Sequence, residues 1–434
     1  MKLSLVGRWS MALFASLVLV LGATSCTVGT IGYMWVLGQQ YNQIAGFKVD
    51  QYTGNLTEVP GSPFSSNGSV PVSLVIKSGG RFVYVINQGV CPTSGCGTAT
   101  NTGQSISLYT VGGDGTLTFQ EKYTSQGYVS EWAQMDSSGT YLYVLDKYSP
   151  GLNSSTGLYN AANTDGNGSI TAFASDANTG RLTLITNSQT QVNGVNTPFW
   201  EVGASPVMSK SQSGCLYTVN DAYTSSDSTG VQTVTPYSIG TGGQLVFTTT
   251  GNIQIAQTTT GVKTNITSIN GSGSYIFLTD ASASNVLYGY ETTGTCNLTA
   301  LNGGTTNLTT DFPNTSDPVY SLIDTTGKYL YVANNSTTNT QTTTPYSSLS
   351  ALTINSTNQE LQPIIGAPYK SGSGPVCMVE DPSNQYLYVS NYNDGTITGY
   401  QLNNTTGELS DLTKGSTFTA VGKASCLAIS GSVN

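Results

Sequence analysis

The segment YLYVSN at positions 386–391 decides the fold, because the chain repeats its pattern six more times. Each copy alternates aromatic and aliphatic residues, and most end in Asn or Asp, which is typical of a buried β-strand that stops at a turn. The other copies are YMWVLG at 33–38, FVYVIN at 82–87, YLYVLD at 141–146, CLYTVN at 215–220, YIFLTD at 275–280 and YLYVAN at 329–334. Seven copies at intervals of roughly 50–75 residues predict a propeller or a solenoid.

Each copy stands inside a longer unit of four expected strands. After it come a second alternating segment and a glycine turn, as in TITGYQL at 396–402 and TGELS at 406–410. Before most copies lies another short segment, as in PVCMVED at 375–381. Glycine supplies the positive φ that tight hairpin turns need, and no segment has the period of an amphipathic helix. Four strands per unit predict one blade of a β-propeller.

The two ends of the chain complement each other. The first copy, at 33–38, has no short strand before it, whereas SCLAIS at 425–430 is a strand without a partner. Pairing these two segments would close the ring and remove two exposed sheet edges. We therefore predict an all-β fold, a seven-bladed β-propeller of four-stranded antiparallel blades, forming a single domain over residues 33–434.

The N-terminal segment has the pattern of an export signal. Lys2 and Arg8 precede an apolar run at 11–22, and small residues follow as far as Cys26. The run is shorter than the roughly 20 residues that span a bilayer, so a cleaved signal peptide over 1–25 is predicted. The order LGATSC resembles a bacterial lipoprotein signal, in which Cys26 is lipidated and becomes the mature N-terminus; plain cleavage after Ser25 is the alternative. We expect a bacterial cell-envelope lipoprotein or a secreted protein, with 26–32 as a short tether and a lipid anchor as its sole membrane contact.

The composition excludes several classes of function. The 434 residues include 14 basic and 23 acidic side chains, a formal charge of −9, and no histidine. An acidic chain without a dense basic cluster is not expected to bind nucleic acid. Mechanisms that use an imidazole base or a histidine metal ligand are excluded. We expect no cofactor and no metal site, and a monomer.

Besides Cys26 the chain has six cysteines, an even number that permits disulfides in an exported protein. Cys91 and Cys96 are close enough in sequence for a local bridge. Cys215 begins one repeat copy and Cys296 lies in the glycine turn of the next unit, so we predict that these two also pair. Metal binding by the thiols is not expected without paired CxxC spacing.

The repeats resemble those of the lactonase-type seven-bladed propellers, which are related to the YVTN-repeat proteins. The phrases that carry the resemblance are TGNLTEVPGSPF at 53–64, YVANN at 331–335, GPVCMVEDPSNQYLYVSN at 374–391 and TITGYQLNNTTGELS at 396–410. The resemblance covers residues 33–430. It implies a propeller fold, but the family contains both hydrolases and non-catalytic proteins.

In the hydrolytic members of that family, an Arg-His pair follows Gly-Pro at the mouth of the channel. Here Val376-Cys377 follows Gly374-Pro375. At the equivalent positions of other blades, alignment of the repeats places Val72-Ser73, Glu131-Trp132, Asn265-Ile266, Val319-Tyr320 and Ser425-Cys426. None of these residues is arginine or histidine, so the resemblance does not bring the catalytic pair to this chain.

Several residues remain candidates for ligand binding, each with a plain structural alternative. Glu131 and Trp132 could place a base or a sugar-binding pair at the channel mouth, and we expect Trp200 and Glu201 near the same mouth. The alternative is an exposed carboxylate beside a packed indole. There are three further candidates. Asp146 and Asp280 each end a repeat copy, where Asx residues also cap turns, and Tyr320 lies at the channel.

We interpret the chain as a binding or scaffold module for a small polar ligand, a glycan or a surface protein. One alternative is a phosphogluconolactonase-like lactone hydrolase that uses carboxylates such as Glu131. A second is a structural cell-surface protein, which the Thr/Asn/Ser/Gly-rich composition would suit. Because the sequence indicates no positive charge at the mouth to stabilise an oxyanion, negligible lactone hydrolysis is predicted.

Overall fold

A computed structural model describes most of the chain from residue 29 to residue 431. The described ranges are 29–90, 103–153, 158–162, 166–192, 195–208, 214–221, 232–247, 252–255, 264–282, 285–292, 294–313, 315–339, 342–358 and 360–431. Cys26, Cys91 and Cys96 lie outside these residues. Within them the chain forms seven antiparallel β-sheets that follow one another as the blades of a propeller. The predicted all-β seven-bladed fold is confirmed.

The blades are numbered from 1 to 7, and each has an inner, a second, a third and an outer strand. The inner strands of blades 1 to 7 are Ala424–Gly431, Pro71–Ile76, Tyr128–Met135, Val207–Met208, Ile266–Ser272, Thr315–Ile323 and Pro375–Glu380. The second strands are Thr30–Gly38, Phe82–Asn87, Tyr141–Tyr148, Cys215–Asp221, Tyr275–Asp280, Tyr329–Asn339 and Tyr386–Asn391. The second strands contain the seven repeat copies.

The third strands contain the alternating segments that follow each copy. They are Gln43–Asp50, Ser105–Val111, Asn167–Ser175, Gln232–Ile239, Val286–Thr292, Thr342–Ile354 and Thr396–Leu402. The outer strands are continuous in blades 2 and 5 and divided in the rest: Leu56–Glu58 with Phe64–Ser65, Leu117–Tyr123, Leu182–Ile185 with Trp200–Ala204, Leu245–Phe247 with Ile253–Gln254, Leu298–Asn307, Leu361–Pro363 with Tyr369–Lys370, and Leu409–Asp411 with Thr417–Thr419.

A few short elements lie outside these four-stranded sheets. Two extra hairpins belong to blade 3 and its surroundings: Pro150–Asn153 with Leu158–Ala162, and Asn187–Val192 with Val195–Thr197. The helical elements described are a 3₁₀ turn at Gln39–Tyr41 and one α-helical turn at Leu308–Asp311.

The C-terminal strand closes the ring as predicted. Ala424–Gly431 pairs antiparallel with Thr30–Gly38, so one blade is built from both ends of the chain. The N-terminal strand starts at Thr30, which places residues 30–32 in the sheet and not in a tether. Closure by main-chain hydrogen bonds gives Thr30–Gly38 a partner on each side, with Gln43–Asp50 on the other, so this strand is not an open edge.

Neighbouring blades are joined by a repeated contact between aromatic side chains and a glycine turn. Between blades 6 and 7, the Tyr331 hydroxyl donates to the Gly407 carbonyl oxygen at 2.9 Å. The ring of Tyr329 covers the same glycine so closely that a Cβ on Gly407 would lie 2.4 Å from its Cδ1. Equivalent hydrogen bonds to glycine carbonyls are those from Trp35 to Gly115, Tyr84 to Gly180, Tyr143 to Gly243 and Tyr388 to Gly54.

Between blades 4 and 5 a disulfide takes the place of this packing. Cys215 occupies the position in the second strand of blade 4 that Tyr329 occupies in blade 6. Cys296 occupies the position in the turn of blade 5 that Gly407 occupies in blade 7, and its φ is +64°, against +75° for the glycine. The two cysteines are bonded, with a sequence separation of 81 residues. The predicted Cys215–Cys296 pair is therefore confirmed. A covalent bond here replaces the aromatic ring that packs on glycine at five other joints.

Candidate functional site

The inner strands share a bulge at the end where the channel opens. In blade 7, Pro375 pairs with Asn391 and Cys377 with Ser390, so Val376 between them has no partner across the strand. A bulge of this kind re-aims a side chain and is common next to functional sites. The bulged residues in blades 2, 3, 5, 6 and 7 are Val72, Glu131, Thr267, Val319 and Val376.

The bulges also fix which residues of different blades are equivalent. They confirm that Glu131-Trp132 and Val376-Cys377 occupy the same place in their blades. In blade 5 the equivalent pair is Thr267-Ser268, because Ile266 pairs with Asp280 and Ser268 with Thr279. The sequence alignment, which placed Asn265-Ile266 here, is wrong by two residues, since this blade lacks the proline that precedes the bulge in blades 2, 6 and 7.

Side chains from blades 3 to 7 enclose a cavity of about 250 Å³ at this end of the channel. Its polar and aromatic lining is Glu131, Trp132, Thr267, Ser268, Asn270 and Tyr320. Binding cavities of about 300–1,000 Å³ are usual for small molecules, so this one suits a compact ligand. The structure thus brings together three of the residues selected from the sequence, namely Glu131, Trp132 and Tyr320.

Glu131 is the carboxylate of this cavity, and a lysine lies beside it. Lys147 Nζ is 3.8 Å from Glu131 Oε1, and both side chains keep contact with solvent. Burial raises the pKa of Glu131, while the positive charge of Lys147 acts against that rise. The sequence-based expectation that no positive charge lies near the mouth is wrong. The missed signal is that the strand YLYVLDKY runs on to Tyr148, two residues past the repeat copy, and so carries Lys147 alongside the bulge.

Trp132 offers a hydrogen-bond donor that the protein does not use. Its Nε1 atom is buried and has no partner. Most buried polar atoms in proteins are hydrogen-bonded, so an unpaired indole N–H beside a cavity is a feature that a ligand could satisfy. The indole ring lies 6.5 Å from the ring of Tyr320, measured between centroids.

Tyr320 is the second aromatic residue of the lining and is buried. Burial raises the pKa of its hydroxyl well above the ordinary value, and the neighbouring Cys377 and Cys426 act in the same direction. The phenol is therefore neutral at physiological pH and can only donate or accept a hydrogen bond. Asn270, on the inner strand of blade 5, lies beside it and donates from Nδ2 to the Ser321 carbonyl oxygen.

Trp200 and Glu201 do not join this cavity. They lie in the outer strand of blade 3 and line a separate groove of about 650 Å³ towards blade 4. Trp200 is buried, and its Nε1 donates to the Leu245 carbonyl oxygen at 2.8 Å, which ties the two blades together. Glu201 is exposed and accepts a hydrogen bond from Asn167 Nδ2 at 2.9 Å. The expectation that they share a mouth with Glu131 is wrong, because the chain passes through the outer edge of the blade before it reaches the next inner strand.

Asp146 is fully buried within blade 3. Its carboxylate accepts hydrogen bonds from Ser125 Oγ at 2.7 Å, Ser130 Oγ at 2.6 Å, Gly127 N at 3.1 Å and Thr171 Oγ1 at 3.2 Å. Burial raises the pKa of Asp146 to about 6, although these hydrogen bonds oppose the rise. With four donors bound, this carboxylate stabilises the connection into the blade, as Asx residues at turns commonly do.

Asp280 has the same place in blade 5. It accepts hydrogen bonds from the backbone N–H groups of Asn265 and Ser282, both at 2.8 Å, and from the Tyr288 hydroxyl at 3.3 Å. Asp146 and Asp280 are therefore held by their own blades and do not meet. In the part of the chain that the structure describes, no three His, Cys, Asp or Glu side chains are grouped to hold a metal ion.

Comparison with known proteins supports the resemblance found in the repeats. Residues 292–426 match the family model described as "Lactonase, 7-bladed beta-propeller". No curated protein matches the chain. The described residues include no helix with the length and hydropathy needed to cross a bilayer.

The fold is similar to that of several solved structures. A candidate 6-phosphogluconolactonase of Bacteroides fragilis superposes with a TM-score of 0.63 at 16% identity, over 93% of this chain and 99% of that one. The periplasmic gluconolactonase of Pseudomonas aeruginosa gives 0.63 at 15% identity, over 92% and 99%. A protein of Lactobacillus plantarum gives 0.60 at 16% identity, over 92% and 99%. These similarities confirm the lactonase-like propeller fold. At identities this low they show the fold alone and nothing about activity.

Proposed function

We propose that this protein binds a small, neutral, polar ligand of monosaccharide size at the channel mouth, without turning it over. The observation that carries the proposal is the buried Trp132 Nε1, a donor without a partner on a side chain that lines a cavity of about 250 Å³. Leaving a buried N–H unpaired costs about 1–3 kcal/mol, which a hydrogen bond from a ligand would recover.

The chemistry of the lining supports a neutral ligand with several hydroxyl groups. The two charges beside the cavity, on Glu131 and Lys147, largely compensate each other at 3.8 Å. The aromatic rings of Trp132 and Tyr320 give apolar faces, while Asn270 and Ser268 add polar groups. An apolar wall with a few placed polar groups is the usual composition of a small-molecule site.

Titration calorimetry with a panel of monosaccharides and aldonolactones tests this proposal. We expect binding by the wild type and loss of most of the affinity in Trp132→Phe, which keeps a ring but removes the unpaired N–H. Trp200→Phe is the matched control: its indole N–H is bonded to Leu245, so this variant should lose stability and keep affinity. Unchanged affinity in a folded Trp132→Phe variant would refute the site.

A lactone hydrolase is the second candidate, and the pairing of Lys147 with Glu131 favours it more than the sequence did. A lysine at 3.8 Å could stabilise an oxyanion, and a carboxyl with a raised pKa could act as a general base. The positions of the family's Arg-His pair hold Val376 and Cys377, so we expect no turnover of sugar lactones above background. Turnover that disappears both in Glu131→Gln and in Lys147→Met would make the hydrolase the better proposal.

The proposed setting is outside the cytoplasm. The N-terminal sequence has the order of an export signal ending before Cys26, and a disulfide such as Cys215–Cys296 is stable in an oxidising compartment. There, as a lipid-anchored or secreted monomer, the protein would present the cavity to ligands in the envelope. Mass spectrometry of the mature N-terminus distinguishes a lipidated Cys26 from simple cleavage after Ser25.

A further inference from the structure

Two buried thiols lie side by side at the seam where the ring closes. Cys377 is on the inner strand of blade 7, and Cys426 is on the C-terminal strand that forms the inner strand of blade 1. Both are almost completely buried, and neither is in a disulfide in this structure. The two inner strands are adjacent, because consecutive blades contact each other around the channel.

The sulfur atoms converge on one point. Cys377 Sγ and Cys426 Sγ each lie 3.8 Å from the carbonyl oxygen of Leu427. The hydrogen bond with Cys377, together with burial, raises the pKa of the Cys426 thiol well above its ordinary value. The two thiols are therefore neighbours, and that of Cys426 is protonated at neutral pH. In the folded ring the Cys426 thiol is a poor nucleophile, since the thiolate is the reactive form.

We propose that Cys377 and Cys426 form a further disulfide in the exported protein, which joins the closing strand covalently to blade 7. In the reaction the two thiols transfer two electrons and two protons to the disulfide of a thiol–disulfide oxidoreductase. The enzyme leaves as a dithiol, and one S–S bond joins Cys377 to Cys426. Because both thiols are buried in the folded ring, the exchange takes place before the C-terminal strand docks.

The consequence is a ring that cannot open at its seam. Main-chain hydrogen bonds and side-chain packing, without a covalent bond, hold Ala424–Gly431 to Thr30–Gly38 in this structure. A bond from Cys426 to Cys377 would tie the same strand to its other neighbour. A closed loop of this kind restricts the unfolded chain and so favours the folded state.

Peptide mapping without reduction tests the proposal on the full chain exported to an oxidising compartment. Thiols are first alkylated in denaturant, and trypsin then separates the two cysteines, placing Cys377 in residues 371–414 and Cys426 in residues 424–434. We expect these peptides to be joined, to separate on reduction, and to be absent as a joined species from Cys426→Ser. The Cys215–Cys296 bond in the same digest reports whether the preparation was oxidised.

Alkylated Cys377 and Cys426 in a digest where Cys215–Cys296 is intact would overturn the proposal. A bond from either cysteine to any other residue would also overturn it. In Cys426→Ser, the proposal requires that Cys377 alone becomes available to the alkylating reagent in denaturant. If Cys377 is as fully alkylated in the wild type as in this variant, the pair is not formed.

Discussion

Gly407 is the position at which the joint between blades can be tested most directly. Its φ of +75° lies in the left-handed region, and a Cβ added there would meet Cδ1 of Tyr329 at 2.4 Å and Cδ1 of Ile364 at 2.7 Å. Both neighbours are buried, so neither can turn into solvent. We therefore expect Gly407→Ala to destabilise the protein for two separate reasons, backbone strain and a clash.

The two contributions can be separated with a second glycine. Gly327 has nearly the same φ, +72°, but a Cβ added there meets no atom within 4 Å. Alanine in the left-handed region costs about 1–2 kcal/mol, and overpacking a buried site costs about 1–3 kcal/mol more. Gly327→Ala should thus lose about 1–2 kcal/mol, whereas Gly407→Ala should lose about 2–5 kcal/mol.

Urea denaturation followed by tryptophan fluorescence measures both variants against the wild type. The midpoint is the appropriate readout, with the slope checked to be unchanged, because a changed slope would mean that the transition itself differs. If the two variants have the same midpoint, the ring of Tyr329 does not constrain Gly407, and the aromatic-on-glycine joint has no part in holding the blades together.

Three further predictions follow from the same contacts. Deleting residues 424–434 should cause aggregation by exposing the edges of blade 1, and light scattering that shows a monomer with unchanged melting would contradict the closure. The double variant Cys215→Tyr, Cys296→Gly should rebuild an aromatic joint and melt at a higher temperature than the double variant Cys215→Ser, Cys296→Ser. Equal melting temperatures would argue against the equivalence of the disulfide and the aromatic-on-glycine contact. Burial raises the pKa of the Glu380 carboxyl, on the inner strand of blade 7, to about 7 from 4.5. The stability that its protonated form contributes is therefore complete below pH 4.5 and is lost as the pH rises through about 7. The free energy of unfolding, measured by denaturation across this range, should depend less on pH in Glu380→Gln than in the wild type, and an identical dependence would contradict the shift.

The sequence by itself determined the blades and their closure. Alternating aromatic and aliphatic residues ending at Asx specify buried strands, and the Gly-Leu turns that follow specify hairpins, because both depend on local geometry alone. The unpartnered SCLAIS segment required a partner, and the N-terminal strand was the one available. The pairing of Cys215 with Cys296 was predictable for the same reason, since both positions follow from the repeat.

Only the tertiary structure decided which residues come together at the candidate site. Whether Lys147 reaches Glu131 depends on a one-residue bulge, which changes the register between two strands without changing the alternation of either. Trp200 resembled a mouth residue because it precedes an inner strand in sequence, yet pairing with Ile170 holds it at the outer edge of blade 3. The contact between Cys377 and Cys426 joins two strands that are not paired with each other, and only the closed ring brings their sulfurs together. Such contacts between blades depend on how whole sheets pack, which the period of a single strand does not encode.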